Sequence, residues 1–343
     1  QGMIKNLNKY HFLLATLLIL IAIAPISAQI NLYTHRHYDS DKILFEKFTK
    51  ETGIKINVIK GSADQLIQRM ISEGKNSPAD ILLTVDAGRL HRAKEAGVLQ
   101  SINSKSINKN VPSEMRDPDG FWYGLTVRAR VIVYAKDRIN SNELSTYEDL
   151  ATAKWKGKIA IRSSGNIYNQ SLMASLIEAN GSRRALRWAI GVRKNMARAP
   201  RGNDRDQVRA VAAGLADIAV VNTYYLGILA NSKEKKDRDV FNKVSVFFPN
   251  QNNRGTHINI SGAGIAKYSK NKSDAIKFIE FLTSPEAQET FGKVNYEYPL
   301  FIENNKSDLL KSWGTFKADK QNLSILGIRN SEAVKLFDRA DWK

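Results

Sequence analysis

Four tyrosines stand at positions from which their hydroxyls could be aimed at one point. Tyr224-Tyr225 follows the apolar stretch Asp217–Val221, which reads as a strand. Tyr168 follows a second strand-like stretch, Lys158–Ile161, after the polar turn Ser163-Ser164-Gly165-Asn166. His37-Tyr38 follows a third, Ile30–Tyr33, and precedes a helical pattern beginning near Asp41. Each group therefore falls just past the carboxyl end of a strand, where α/β proteins gather their ligands. A phenolate is a hard anionic oxygen suited to a hard trivalent cation. A phenol of ordinary pKa, about 10, must lose its proton to bind one, so capture would release protons and weaken in acid. Four phenolates on a trivalent ion leave a net charge near −1, which Arg128 or Arg130 could balance through hydrogen bonds behind the ligands. The chain has no Cys and only five His, so any metal must be held by oxygen and nitrogen.

Other uses of these residues compete. A single tyrosine at a helix start is ordinarily half-buried packing, and a Tyr-Tyr pair can also stack on a sugar or an amine. Three groups at three strand ends favour a shared site, yet on the residues alone a metal and an organic solute stand level. No catalytic motif offers a rival: Walker-type loop, G-x-G-x-x-G, G-x-S-x-G and H-E-x-x-H are all missing. Gly262-Ala263-Gly264 is too short for a nucleotide loop and reads as a place where a strand bends.

The elements that must position these residues alternate in type. Strands are expected at Ile30–Tyr33, Ile54–Lys60 and Ala79–Thr84, with helices over Asp41–Thr52, Ala63–Glu73 and Asp86–Ala96 between and after them. Strands separated by helices of this length point to βαβ units and a parallel sheet. Val127–Ala135 is a long extended stretch where the pattern changes. A second α/β run follows, with helices over Tyr168–Ala179, Arg183–Arg193 and Arg205–Gly214 and the strand Asp217–Val221. Val244–Phe248 and Gly255–Ala266 are again extended, and the remainder is mostly helical, including Lys272–Leu282 and Pro285–Phe291. Two α/β lobes joined by extended crossings would hold a ligand between them.

Residues 3–28 read as a cleaved secretory signal: Lys5 and Lys9, an apolar run from Phe12 to Ala24 too short to span a bilayer comfortably, then small residues ending at Ala28. Gln1 and Gly2 precede the first methionine and are set aside. About 315 residues remain, enough for two domains and a large core. The net charge of +18 becomes +16 without the leader. With lysines scattered along the chain and export expected, this reads as a solvated basic surface, with no nucleic-acid partner.

The chain resembles the bacterial ferric-ion-binding proteins, the FbpA and FutA type, and in particular the cyanobacterial FutA branch. The segments that carry the likeness span nearly the whole chain after the leader. They include Leu32-Tyr33-Thr34-His35-Arg36-His37-Tyr38, Pro200-Arg201-Gly202-Asn203-Asp204, Asn222-Thr223-Tyr224-Tyr225 and Asn295-Tyr296-Glu297-Tyr298-Pro299. Ser284-Pro285-Glu286-Ala287-Gln288 adds little, since many solute receptors share it. The resemblance implies an α/β, two-lobe periplasmic binding-protein clamp of class II, transferrin-like, each lobe a mixed sheet flanked by helices and joined by crossover strands. It places the N-terminal lobe at 29–130 and 256–305 and the C-terminal lobe at 131–255 and 306–343. It implies Fe3+ bound by Tyr38, Tyr168, Tyr224 and Tyr225, with His37 a further candidate ligand and Arg128 behind them. Whether Fe2+ is also held stays open. A periplasmic, monomeric receptor without enzymatic activity is expected, delivering iron to an inner-membrane ABC permease. The alternative is a receptor of the same fold for a small neutral or anionic organic ligand.

Overall fold

The structure, a computed structural model, describes residues 27–36 and 38–343. The segment 3–28 read as a leader lies outside the described residues except for Ser27 and Ala28, and so does His37.

Chain order sets up the first half as the patterns predict. Strand β1 (Gln29–Thr34) leads to helix α1 (Asp39–Thr52), which Gly53 ends at φ 74°, a backbone conformation glycine adopts without steric cost. Strand β2 (Lys55–Lys60) and helix α2 (Ala63–Glu73) follow, the helix opened by a capping box between Ser62 and Gln65. Then come β3 (Ile81–Val85), α3 (Ala87–Glu95), the short β4 (Leu99–Gln100) and α4 (Lys105–Asn110). β1 pairs in parallel with both β2 and β3.

Strand β5 (Tyr123–Ala135) is the long crossing. Beyond it lie β6 (Ile159–Ala160), α5 (Ile167–Asn180), α6 (Ser182–Asn195), α7 (Asp204–Ala212), β7 (Ile218–Asn222), α8 (Thr223–Ala230), α9 (Lys235–Asn242) and β8 (Val244–Phe247). Strand β9 (Ile258–Ala266) returns the chain, and α10 (Lys272–Leu282), α11 (Pro285–Asn295), α12 (Asp308–Ser312), α13 (Ser324–Ile328) and α14 (Asn330–Arg339) close it.

The sheet order β2-β1-β3-β9-β5-β7-β6 has the mixed character that the resemblance implies, and the βαβ run β1 to β3 is parallel as its pattern predicts. β9 runs antiparallel to both β3 and β5, and β5 runs antiparallel to β7 and β8. Periodicity cannot reveal this, because a fully buried strand reads the same in either direction. β5 serves two sheets: Tyr123–Ala129 pairs with β9, whereas Arg130–Ala135 pairs with β7 and β8. Gly262 and Gly264 allow close packing. A Cβ on either would stand 2.6 Å from a carbonyl oxygen, that of Tyr123 or Phe121, so they let two backbones and the Leu90 and Leu99 side chains approach closely. The core runs continuously through both sheets, with Trp122, Trp155 and Trp342 nearly inaccessible.

Candidate metal centre

Three strand-to-helix turns deliver the candidate tyrosines. β7 passes directly into α8: Asn222 is still extended at φ −77° and ψ 142°, and Thr223 is already helical. Tyr224 and Tyr225 therefore lie in the first turn of α8, with ring centroids 4.3 Å apart. Tyr168 lies in the first turn of α5, where the Asn166 side chain accepts its backbone N–H at 3.0 Å. Tyr38 occupies the cap position of α1, extended at φ −86°. Each phenol is thus attached to the amino end of a helix, where negative charge is favoured.

These four side chains come together. The Tyr168 and Tyr224 hydroxyls are 3.3 Å apart, and the Tyr38 ring centroid is 6.5 Å from that of Tyr224. Tyr224 is buried; the other three are half-buried. Next to the undescribed His37, His35 Nδ1 stands 2.9 Å from the Thr84 hydroxyl. Thr223, which its position before the Tyr pair would make the cap of α8, has another task. Its hydroxyl accepts the Ala129 N–H at 3.2 Å and ties α8 to β5, and α8 has no side-chain cap. The positive end of its dipole is left for the phenols.

Burial pushes the Tyr38, Tyr224 and Tyr225 phenols up. Tyr168 raises Tyr224 and Tyr225 further, because one phenolate disfavours the next, while Arg128 pulls Tyr38 and Tyr224 back down. Phenols that resist ionising one at a time suit a trivalent cation, which offsets the charge of all of them at once.

The arginines form the floor. Residues 128 and 130 alternate on one face of β5. The Arg128 guanidinium lies 4.6 Å from the Tyr224 ring centroid, and those of Arg130 and Arg162 lie 5.9 and 5.7 Å from that of Tyr168. Arg36 lies 4.4 Å from that of Tyr38. Arg128 Nη2 donates to Glu297 at 2.7 Å and to Ser261 Oγ at 2.6 Å, while its Nε and Nη1 are buried without an acceptor among the described residues. Arg36 bridges Asp41 at 2.7 Å and Glu297 at 3.0 Å. Arg130 donates to Asp204 at 3.1 Å, Asn222 at 2.9 Å and Asn169 at 2.7 Å. Burial alone would raise the Glu297 carboxyl, yet Arg36, Arg128 and the hydroxyl and amide of Thr126 and Asn295 hold it down at about 2. Four guanidinium groups (Arg36, Arg128, Arg130, Arg162) face three carboxylates (Asp41, Asp204, Glu297). The single surplus positive charge matches the single negative charge of a trivalent ion on four phenolates.

Arg36 and Glu297 are absent from the candidates read from the sequence. Their only signal there is a charged residue in an otherwise strand-like or aromatic stretch, and both lie in segments that carry the family likeness. Among the described residues no three His, Cys, Asp or Glu side chains converge on a metal-sized site. The phenols are the donor set this cluster offers.

Two sheets sharing a crossing strand, with a polar cluster at their strand ends, define a solute receptor of the clamp type. The chain belongs to the bacterial extracellular solute-binding protein family, whose model matches residues 76–322. It is 51% identical to iron uptake protein A1 of Synechocystis over 317 residues, 92% of this chain and 88% of the relative. It is 30% identical to the major ferric iron-binding protein of Neisseria meningitidis over 301 residues, 86% of this chain and 87% of that one. A Trichodesmium IdiA (FutA) structure in complex with iron and citrate ligands matches with a TM-score of 0.90 and 54% identity, covering 92% of this chain and 100% of that one. The resemblance drawn from the sequence segments is thereby borne out.

Proposed function

We propose that this chain is a receptor that binds Fe3+ in the periplasm and delivers it to an ABC permease in the inner membrane. The observation that carries this reading is the convergence of four phenols over a guanidinium floor with one surplus positive charge. Tyr38, Tyr168, Tyr224 and Tyr225 are the ligands, His37 is a further candidate, and Arg128 stabilises the phenolates. The relatives named for iron binding support the same cargo.

The N-terminal lobe comprises 29–130 and 256–305, and the C-terminal lobe 131–255 and 306–343. Tyr38 comes from the first and the other three ligands from the second, so iron joins the lobes as it binds. The change of β5 pairing partners between Ala129 and Arg130 supports a boundary there. The receptor works as a monomer and turns over no substrate: iron enters, protons leave, and the closed form is handed on.

The test is a visible absorption spectrum of the purified protein with ferric citrate. A phenolate-to-iron band that is lost or shifted in Tyr224→Phe and Tyr225→Phe is the expected result. A protein that stays colourless and takes up no iron would overturn this function and leave an organic-solute receptor.

A further inference from the structure

Between Glu178 and Asp204 the chain carries seven Arg or Lys and no Asp or Glu. α6 occupies the middle of this stretch and buries Ala185, Trp188, Ala189 and Val192 on one face. Its opposite face presents Arg183, Arg184, Arg187 and Lys194, all exposed and none in an ion pair among the described residues. At 100° per residue these four fall within an arc of about 100°, along a stripe about 16 Å long.

Local electrostatics oppose this arrangement. Elsewhere on the surface, lysines at helical spacing meet carboxylates, as in Lys47–Glu51, Lys235–Asp239 and Lys293–Glu289. In α6 the i,i+4 pair is Arg183–Arg187, two like charges. Its first turn holds Arg183 and Arg184 and no acid, at the positive end of the helix dipole, and its Gly181 cap offers no side chain. Carboxylates on the elements packed against α6 are engaged elsewhere. Glu148 meets Arg254 and Asn180, Asp149 meets Trp155, Glu178 meets Arg329, and Glu332 meets Arg329 and Ser182. Asp338 on α14 has no side-chain partner among the described residues and is the one acid there left to moderate the patch.

We infer that the exposed face of α6 is a docking surface for a membrane bearing anionic phospholipid headgroups. Arginine's planar fork matches phosphate, and a row of cations on the outer face of a helix suits a laterally mobile anionic surface better than a single anion. The position fits as well. Only Gly181 separates α5 from α6, so the start of α6, with Arg183 and Arg184, lies about 20 Å from Tyr168, at the other end of α5. A permease drawing on the phenol site must reach the other end of α5. Membrane contact through α6 leaves that end free and confines the receptor to the surface in which such a permease sits.

Residues 29–343 contain every described strand and helix, and this chain is used for the test, since an apolar leader would itself bind lipid. It is sedimented with phosphatidylcholine vesicles containing none or 30% phosphatidylglycerol, at low and at physiological salt. Binding that needs phosphatidylglycerol and falls with salt is expected. Each neutralised cation should lower vesicle partitioning by about fivefold. Arg183→Gln with Arg187→Gln and Lys194→Gln should therefore abolish most of it while ferric uptake is unchanged. A charge-matched variant on the other lobe (Lys55→Gln, Lys60→Gln, Lys105→Gln) should retain most of it. No binding to the anionic vesicles, equal losses in both variants, or attachment only to permease in phosphatidylcholine vesicles would each overturn the inference. The last outcome would make the partner a protein.

Discussion

Arg128 and Glu297 show what the site asks of single residues. Glu297 is fully buried and accepts from Arg36, Arg128, Thr126 and Asn295, so removing it leaves the buried Arg128 guanidinium without a carboxylate and Arg36 with Asp41 alone. Glu297→Ala is expected to cost about 3–5 kcal/mol of unfolding free energy, read from urea denaturation. Because its folded value is depressed to about 2, its contribution is present above the unfolded carboxylate range, near 4.3, and is lost as pH falls from there towards 2. Glu297→Gln should flatten the stability profile across that window. The phenols act in the opposite sense. Burial raises Tyr38, Tyr224 and Tyr225, so protons favour the iron-free form. Apparent iron affinity, measured by competition with citrate, should fall about tenfold per pH unit for every proton that binding releases. A flat response between pH 8 and 6 would remove the phenols from the site.

At the scale of elements, α8 matters most, because its first turn carries two of the four phenols. Its seat is tight: a Cβ on Gly227 would stand 2.3 Å from the Tyr296 ring, just past the end of α11. Tyr296 itself holds a left-handed backbone at φ 58°, so its ring has little freedom to retreat. Gly227→Ala should overpack this contact and cost about 1–3 kcal/mol. It should also weaken iron binding although no ligand is changed, since α8 must shift with Tyr224 and Tyr225 on it. Normal stability and normal uptake in this variant would show that the contact yields.

At the scale of the whole molecule, closure depends on contacts between segments far apart in the chain. Asp86, in the turn after β3, sits at φ 79°, fully buried, and accepts the Ser171 hydroxyl of α5 at 2.7 Å. A non-glycine residue in this conformation persists only where its surroundings hold it. Ser171→Ala removes the hydroxyl donated to Asp86, one hydrogen bond between the proposed lobes. Iron release to a chelator should then quicken by about fivefold, with the absorption band unchanged. A release rate equal to that of the parent protein would mean that this bond plays no part in keeping the clamp shut.

Much of the site could be read from the sequence because its parts are local. A strand followed by a polar turn and a tyrosine is visible in Lys158–Tyr168, and the Tyr224-Tyr225 pair follows its strand directly; both turns fold as their residue types dictate. Composition narrows the donor chemistry in the same way, since a chain without Cys leaves oxygen and nitrogen as the donors for a metal. What only the tertiary structure decided is non-local. Glu297 reaches Arg128 across 169 residues, and Arg36 across 261. β9 enters between β3 and β5 antiparallel to both, although its apolar alternation is blind to direction. The cations of α6 are a run free of acids in the chain, and four of them share one exposed face only once the helix winds and packs. Periodicity and turn chemistry act between near neighbours, whereas buried charge balance and strand order are settled when distant segments compete for the same interior.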